Sequence, residues 1–136
     1  MGCNLDYSNP EVEEDVLAWG KWVAETVPLK GMRFDAIKHF SARFLAKFVK
    51  QMEQTCGEDW FSVGEFWKDD VKVMCKYLQG MSSKFRLFDA PLVHNFSAIG
   101  AKKGSDLRGV FKGTLTQCKP NNSVVSSKPV FHLITN

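Results

Sequence analysis

The sequence predicts an α/β fold with parallel strands, and three observations carry that prediction. Segments with helical spacing alternate with short apolar runs from Pro10 to about Val125. Each apolar run is too short for a helix and too continuous for a half-exposed strand, which suits strands covered on both faces. The periodic segments between them are long enough to cross back over a sheet, so successive strands run parallel with right-handed crossovers. At 136 residues the chain holds one domain with a core rather than two. Its 44% hydrophobic and 24% charged content is that of an ordinary globular protein.

The first helix is expected from Pro10 to Val27. Asn9 caps it, Pro10 fits the first turn, and Glu11, Glu13, Glu14 and Asp15 meet the positive end of its dipole. Val12, Val16, Trp19, Val23 and Val27 fall on one stripe, and Pro28 stops the run. A strand follows from Met32 to Ile37. A second helix runs from Ser41 to Gln54, with Phe44, Leu45, Phe48 and Met52 at helical spacing and Gly57 as its stop. Trp60 to Trp67, WFSVGEFW, reads as the next strand. Asp69 or Asp70 opens a third helix through Val71, Met74 and Leu78, ended by Gly80. FRLF, from Phe85 to Phe88, is a third strand. A fourth helix is expected over Ser105 to Cys118, weakened by Gly109 and Gly113, with a further strand opening at Ser123 to Val125.

Composition excludes several classes. The net charge of +3 is scattered, with no basic block longer than Lys102-Lys103, so nucleic acid is not an expected partner. No apolar run reaches the length of a bilayer span, so no membrane is expected either. MGCNLDYSNP lacks the charged and apolar regions of a signal peptide, and Asp6 occupies the place where a myristoylation pattern wants Ser or Thr. Cys3, Cys56, Cys75 and Cys118 show no CxxC spacing, which predicts four free thiols and a cytoplasmic protein. The sequons at Asn95 and Asn121 are then chance matches.

The stretch GMRFDAIKHF places Arg33, Asp35, Lys38 and His39 at the end of the first strand. Glu65 lies at or near the end of the second strand, one strand-helix unit later, so the two acids belong at the same end of neighbouring strands. Two carboxylates across a cleft suit glycosidic bond hydrolysis, provided one stays ionised and the other holds a proton. Arg33 is two residues before Asp35 and points to the same side of a strand. Phe61, Phe66 and Trp67 offer Glu65 a drier setting. Spacing alone leaves a second reading open, in which both acids cap the helices that follow.

GMRFDAIKH resembles the fourth-strand motif of the alpha-amylase family of glycoside hydrolases, which reads Arg, any residue, Asp, Ala, any residue, Lys, His. VGEFW resembles the fifth-strand motif, FRLFDAPL the sixth-strand segment, and LDYSNPEV the segment before the fourth strand. The likeness runs from about Asn4 to Val125 and is closest to the liquefying-type amylases and their intracellular fungal relatives. It implies a fragment of a (β/α)8 TIM barrel, about strands 4 to 6 or 7 with their helices. Residues 1–125 would be partial barrel and 126–136 a tail outside the family.

The same resemblance implies a retaining hydrolase of α-1,4-glucosidic bonds in starch or glycogen, binding an α-glucan polysaccharide or maltooligosaccharide. Asp35 would be the nucleophile, Glu65 the general acid and base, and Arg33 the residue that orients Asp35. Lys38 and His39 would lie by the substrate cleft and Trp67 would offer a sugar platform. Asn4 and Asp6 match positions of cation ligands, and the His39 backbone carbonyl would join them at calcium. Asp89 reads as structural. The first three strands, the calcium-binding insertion and the seventh-strand Asp have no counterpart; the slot for that Asp falls on Lys128. The text departs from the family abruptly after Val125, as a gene-model break would, and Met1 reads as an internal methionine. The expectation is a weakly stable, self-associating chain with open sheet edges and little activity alone. The alternative is a non-catalytic remnant keeping part of a sugar-binding or interaction surface.

Overall fold

The computed structural model describes residues 5–57 and 59–117. Helix α1 (Pro10–Thr26) is followed by β1 (Gly31–Phe34), α2 (Ala42–Cys56), β2 (Phe61–Gly64), α3 (Val71–Gln79), β3 (Phe85–Leu87) and α4 (Ala90–Gly100). Short 3-10 turns lie at Ile37–His39, Leu107–Gly109 and Leu115–Gln117. The three strands form one parallel sheet in the order β1-β2-β3, as the alternation predicts. Phe34 pairs with Gly64, and Gly64 with Leu87, so all three strands end level.

The core lies between this sheet and the helices. Helix α2 begins at Ser41, whose hydroxyl accepts the Phe44 N–H, and it buries Phe44, Leu45, Phe48, Val49 and Met52. Phe34 meets Phe48 edge-on at 5.9 Å and Phe85 at 6.1 Å, tying β1 to α2 and β3. Helix α1 packs on α2 through Val16, Leu17, Gly20 and Ala24. This face is rotated from the expected stripe, and Trp19 is left 52% exposed. The reason is Gly20: a Cβ there would lie 2.5 Å from Phe48 Cε2, so the helices meet where the side chain is missing. The cost of glycine inside a helix, about 1 kcal/mol, is offset by that close approach. Glu13 adds an ion pair to Lys47 at 2.8 Å across the same seam.

Three expectations are corrected. The strands are shorter than the apolar runs, because β1 stops at Phe34 and Ala36 turns the chain with φ of 47°. The fourth helix is Ala90–Gly100, and the Ser105–Cys118 region forms turns wherever it is described, with Gly113 at φ of 71°. Cys75 is disulfide-bonded rather than a free thiol, whereas Cys56 is free. Cys3, Cys118, the Ser123–Val125 strand, the boundary after residue 125 and Lys128 lie outside the described residues.

Asp89 is structural, as expected. It is fully buried, and its two carboxylate oxygens accept different backbone N–H groups. Oδ1 takes the N–H of Leu92 at 3.1 Å, capping α4, and Oδ2 takes that of Leu115 at 3.1 Å. Asn95 also has a packing role, since its amide donates to the carbonyls of Val110 at 2.7 Å and Lys112 at 3.0 Å. Among the described residues no helix is long and apolar enough to cross a membrane.

Candidate active site

The level ends of β1 and β2 bring Asp35 and Glu65 together, each being the first residue beyond the last paired position. The Glu65 N–H donates to the Phe34 carbonyl at 2.8 Å, and the Ile37 N–H donates to the Glu65 carbonyl at 3.0 Å. The second bond exists because Ala36 turns left-handed, a conformation uncommon outside glycine and kept here with the smallest side chain. Gly64 allows the same approach from below. A Cβ on it would lie 2.5 Å from Ile37 Cδ1 and 2.7 Å from Phe85 Cζ.

Arg33 projects on the open face of the sheet and joins the two acids. Its Nη1 lies 2.9 Å from Asp35 Oδ1, and its Nη2 donates to Glu65 Oε2. Its guanidinium carbon lies 5.9 Å from the ring centre of Phe88, just beyond β3. The Asp35 side chain is 72% exposed and that of Glu65 27%. The drier setting expected for Glu65 is not what forms. Phe66 turns away onto Tyr77, with ring centres 4.6 Å apart, and Glu65 faces a cation instead. Burial raises the Tyr77 hydroxyl to about 12.

The remaining predicted residues gather around this pair. Lys38 and His39 sit in the 3-10 turn after β1 and line an open hollow of about 750 Å³ with Asp35, Asp6, Tyr7 and Arg43. The Lys38 ammonium donates to the Trp67 carbonyl at 3.2 Å, tying the loop after β1 to the loop after β2. The Trp67 ring lies 6.2 Å from that of His94 on α4. Phe88 and His94 were not singled out from sequence. Phe88 could have been, because it shares the strand parity of Arg86 and stands on the face of Arg33.

Calcium fits these residues poorly. Asp6 lines the hollow, but one oxygen of its carboxylate already accepts the Ser8 N–H at 2.9 Å and hydroxyl at 2.6 Å. These bonds hold the Asp6 carboxyl below its ordinary value. Lys38 and Arg43 line the same hollow, and a cation gains nothing from them. Among the described residues no three His, Cys, Asp or Glu side chains form a metal cluster, whereas calcium takes roughly 6–8 oxygens. Asn4 lies outside the described residues.

No protein-family model matches the chain. Individual relatives do. Glucan 1,4-alpha-maltohexaosidase of Bacillus sp. (strain 707) is 34% identical over 125 residues, which is 91% of this chain and 24% of that protein. The alpha-amylase of Bacillus licheniformis is 31% identical over 125 residues, again 91% of this chain and 24% of the relative. Matches of this kind over 91% of the chain support its membership of the alpha-amylase family as a partial stretch. The cytoplasmic alpha-amylase of Escherichia coli (strain K12) is a further relative, 33% identical over 91% of this chain and 25% of its own length. The chain thus spans about a quarter of the length of the curated alpha-amylases it matches.

Solved structures agree with this membership. An Anoxybacillus alpha-amylase superposes with a TM-score of 0.69 at 28% identity, over 79% of this chain and 23% of that one. The Geobacillus thermoleovorans alpha-amylase, complexed with acarbose, gives 0.69 at 27% identity over the same shares. The parallel three-stranded sheet and its helices match part of an alpha-amylase TIM barrel.

Proposed function

We propose that this chain carries the carboxylate pair of a retaining hydrolase that cleaves α-1,4-glucosidic bonds in starch, glycogen or maltooligosaccharides. The observation that supports this most directly is one guanidinium, Arg33, contacting both Asp35 and Glu65 at the level ends of adjacent strands. A shared cation keeps the two carboxylates close, as the roughly 5–5.5 Å separation in retaining enzymes requires. Asp35 attacks the anomeric carbon and forms a covalent glycosyl intermediate. Glu65 gives its proton to the leaving oxygen, then takes one from the water that releases the sugar. Arg33 fixes the approach of Asp35. Lys38 and His39 contact glucose units along the adjoining hollow, and Trp67 does so from the loop after β2.

A second reading is favoured by one observation: the described residues do not enclose the pair. Asp35 stands largely in water, and exclusion of water from the reacting centre is part of the catalytic environment. On that reading the isolated chain binds glucan weakly, hydrolyses little, and associates through the outer edges of β1 and β3. A cytoplasmic location is supported by the Escherichia coli relative, while the disulfide at Cys75 counts against a reducing compartment.

The test uses the purified chain and maltoheptaose. Amide chemical shifts should move around Asp35, Lys38, Glu65 and Trp67, and Asp35→Asn or Glu65→Gln should weaken binding. Shifts confined to the helix side of the sheet, or unaltered affinity in both variants, would remove the glucan site from this face. Release of reducing ends by the monomeric chain would separate an active enzyme from a binding remnant.

A further inference from the structure

We propose that Phe88 is a positioning residue that holds Arg33 in the orientation from which it bridges Asp35 and Glu65. The catalytic meaning of this inference rests on the proposed hydrolase reading; the positioning itself does not. Phe85 and Leu87 are buried against the helices, so strand alternation sends Arg86 and Phe88 to the opposite face, where Arg33 lies. The Phe88 N–H donates to the Gly64 carbonyl at 3.4 Å, which sets its ring beside the last residue of β2.

Arg33 needs such a support. Its side chain is about half exposed, and one of its two acids, Asp35, is itself mostly in water. An ion pair to so exposed a partner resists rotation of a long side chain weakly. An aromatic ring against the guanidinium plane adds a contact that carboxylates at the edge cannot supply. With the Phe88 ring centre 5.9 Å from Cζ and the two acids at Nη1 and Nη2, the guanidinium meets the ring as well as both carboxylates.

The backbone that carries the ring is itself held in place. Asp89 is buried and clamped by the Leu92 and Leu115 N–H groups, and the Ala90 N–H donates to the Phe88 carbonyl at 3.1 Å. The segment after β3 therefore forms a chain of contacts from the α4 cap through Phe88 to Arg33. The sequence motif around Asp89 acquires a role at the acid pair that neither acid's own strand provides.

The experiment compares Phe88→Leu with Phe88→Tyr in the full chain, with far-UV circular dichroism to establish that each folds. Solvent exchange of the Arg33 guanidinium protons, read by ¹⁵N NMR, should quicken about 2–5-fold in Phe88→Leu and stay near the native rate in Phe88→Tyr. Maltoheptaose affinity should fall by a similar factor in Phe88→Leu, and that loss should vanish when Arg33→Met is already present. Native exchange in Phe88→Leu, or equal quickening in both variants, would overturn the proposal. A loss of affinity that persists undiminished in Arg33→Met would do the same. If the native chain binds no maltoheptaose, the hydrolase reading fails and the exchange rates alone decide the role of Phe88.

Discussion

The two faces of the small sheet are built from alternate positions of the same three strands and do opposite things. On the helix side Phe34, Ser62, Gly64, Phe85 and Leu87 alternate into a dry layer against α2 and α3. On the other side Arg33, Asp35, Glu65, Arg86 and Phe88 stand in or near water. The helix side is organised by ring contacts and close approach, the open side by charge. The difference teaches that stability and chemistry are separable here: the first face supplies the folding energy, and the second is carried on it.

The separation can be broken from the packed side first. Phe85→Ala removes a fully buried ring and should cost about 3–5 kcal/mol, read as a lower urea midpoint, with the open face lost together with the fold. Asp89→Ala comes next. It strips the acceptors from the Leu92 and Leu115 N–H groups and should cost about 1–3 kcal/mol, seen as a lower melting temperature. On the open side, Arg33→Met should change unfolding stability by less than about 1 kcal/mol, because Arg33 and Asp35 are both more than half exposed, while measurably weakening maltoheptaose binding. A stability loss as large as that of Phe85→Ala would show that the two faces are not separable.

The smallest expected effect is a pH dependence at the seam between α1 and α2. The hydrogen bond from Lys47 holds the Glu13 carboxyl below its ordinary value of 4.5. A group depressed in the folded state contributes stability above its unfolded value and loses it as pH falls through the folded one. Unfolding titrations should therefore show a shallow loss of stability below pH 4.5, and Lys47→Met should flatten it. An unchanged acid limb in that variant would assign the loss to other carboxylates.

Much of this was legible in the sequence. Asn9 and Ser41 mark the starts of α1 and α2 by residue type, and of the two candidates Asp69 and Asp70 it is Asp70 that caps α3; each cap accepts backbone N–H groups. The nearness of Asp35 and Glu65 follows from one strand-helix unit between them and a parallel register. Other features depend on long-range packing. The face that α1 buries was set by Gly20 meeting Phe48, a contact no periodicity reveals. Helix α4 carries its own signals in Asp89 and Pro91, yet the sequence reading places the fourth helix later, over Ser105 to Cys118. Glu65 shows the limit most clearly. Its sequence neighbours are aromatic, yet alternation sends Phe66 to the far side of the strand, and the residue it meets is thirty-two positions away.

Gly64 has a consequence beyond the turn it permits. The space its missing methyl leaves is filled by Ile37 and Phe85, one from the loop that follows Asp35 and one from the third strand. The spacing of the two strand ends therefore rests on apolar contact beneath the sheet as well as on the guanidinium above it. Enlarging residue 64 by a single carbon would shift that spacing without altering a charge, so tuning of such a pair can begin on the buried side of the sheet.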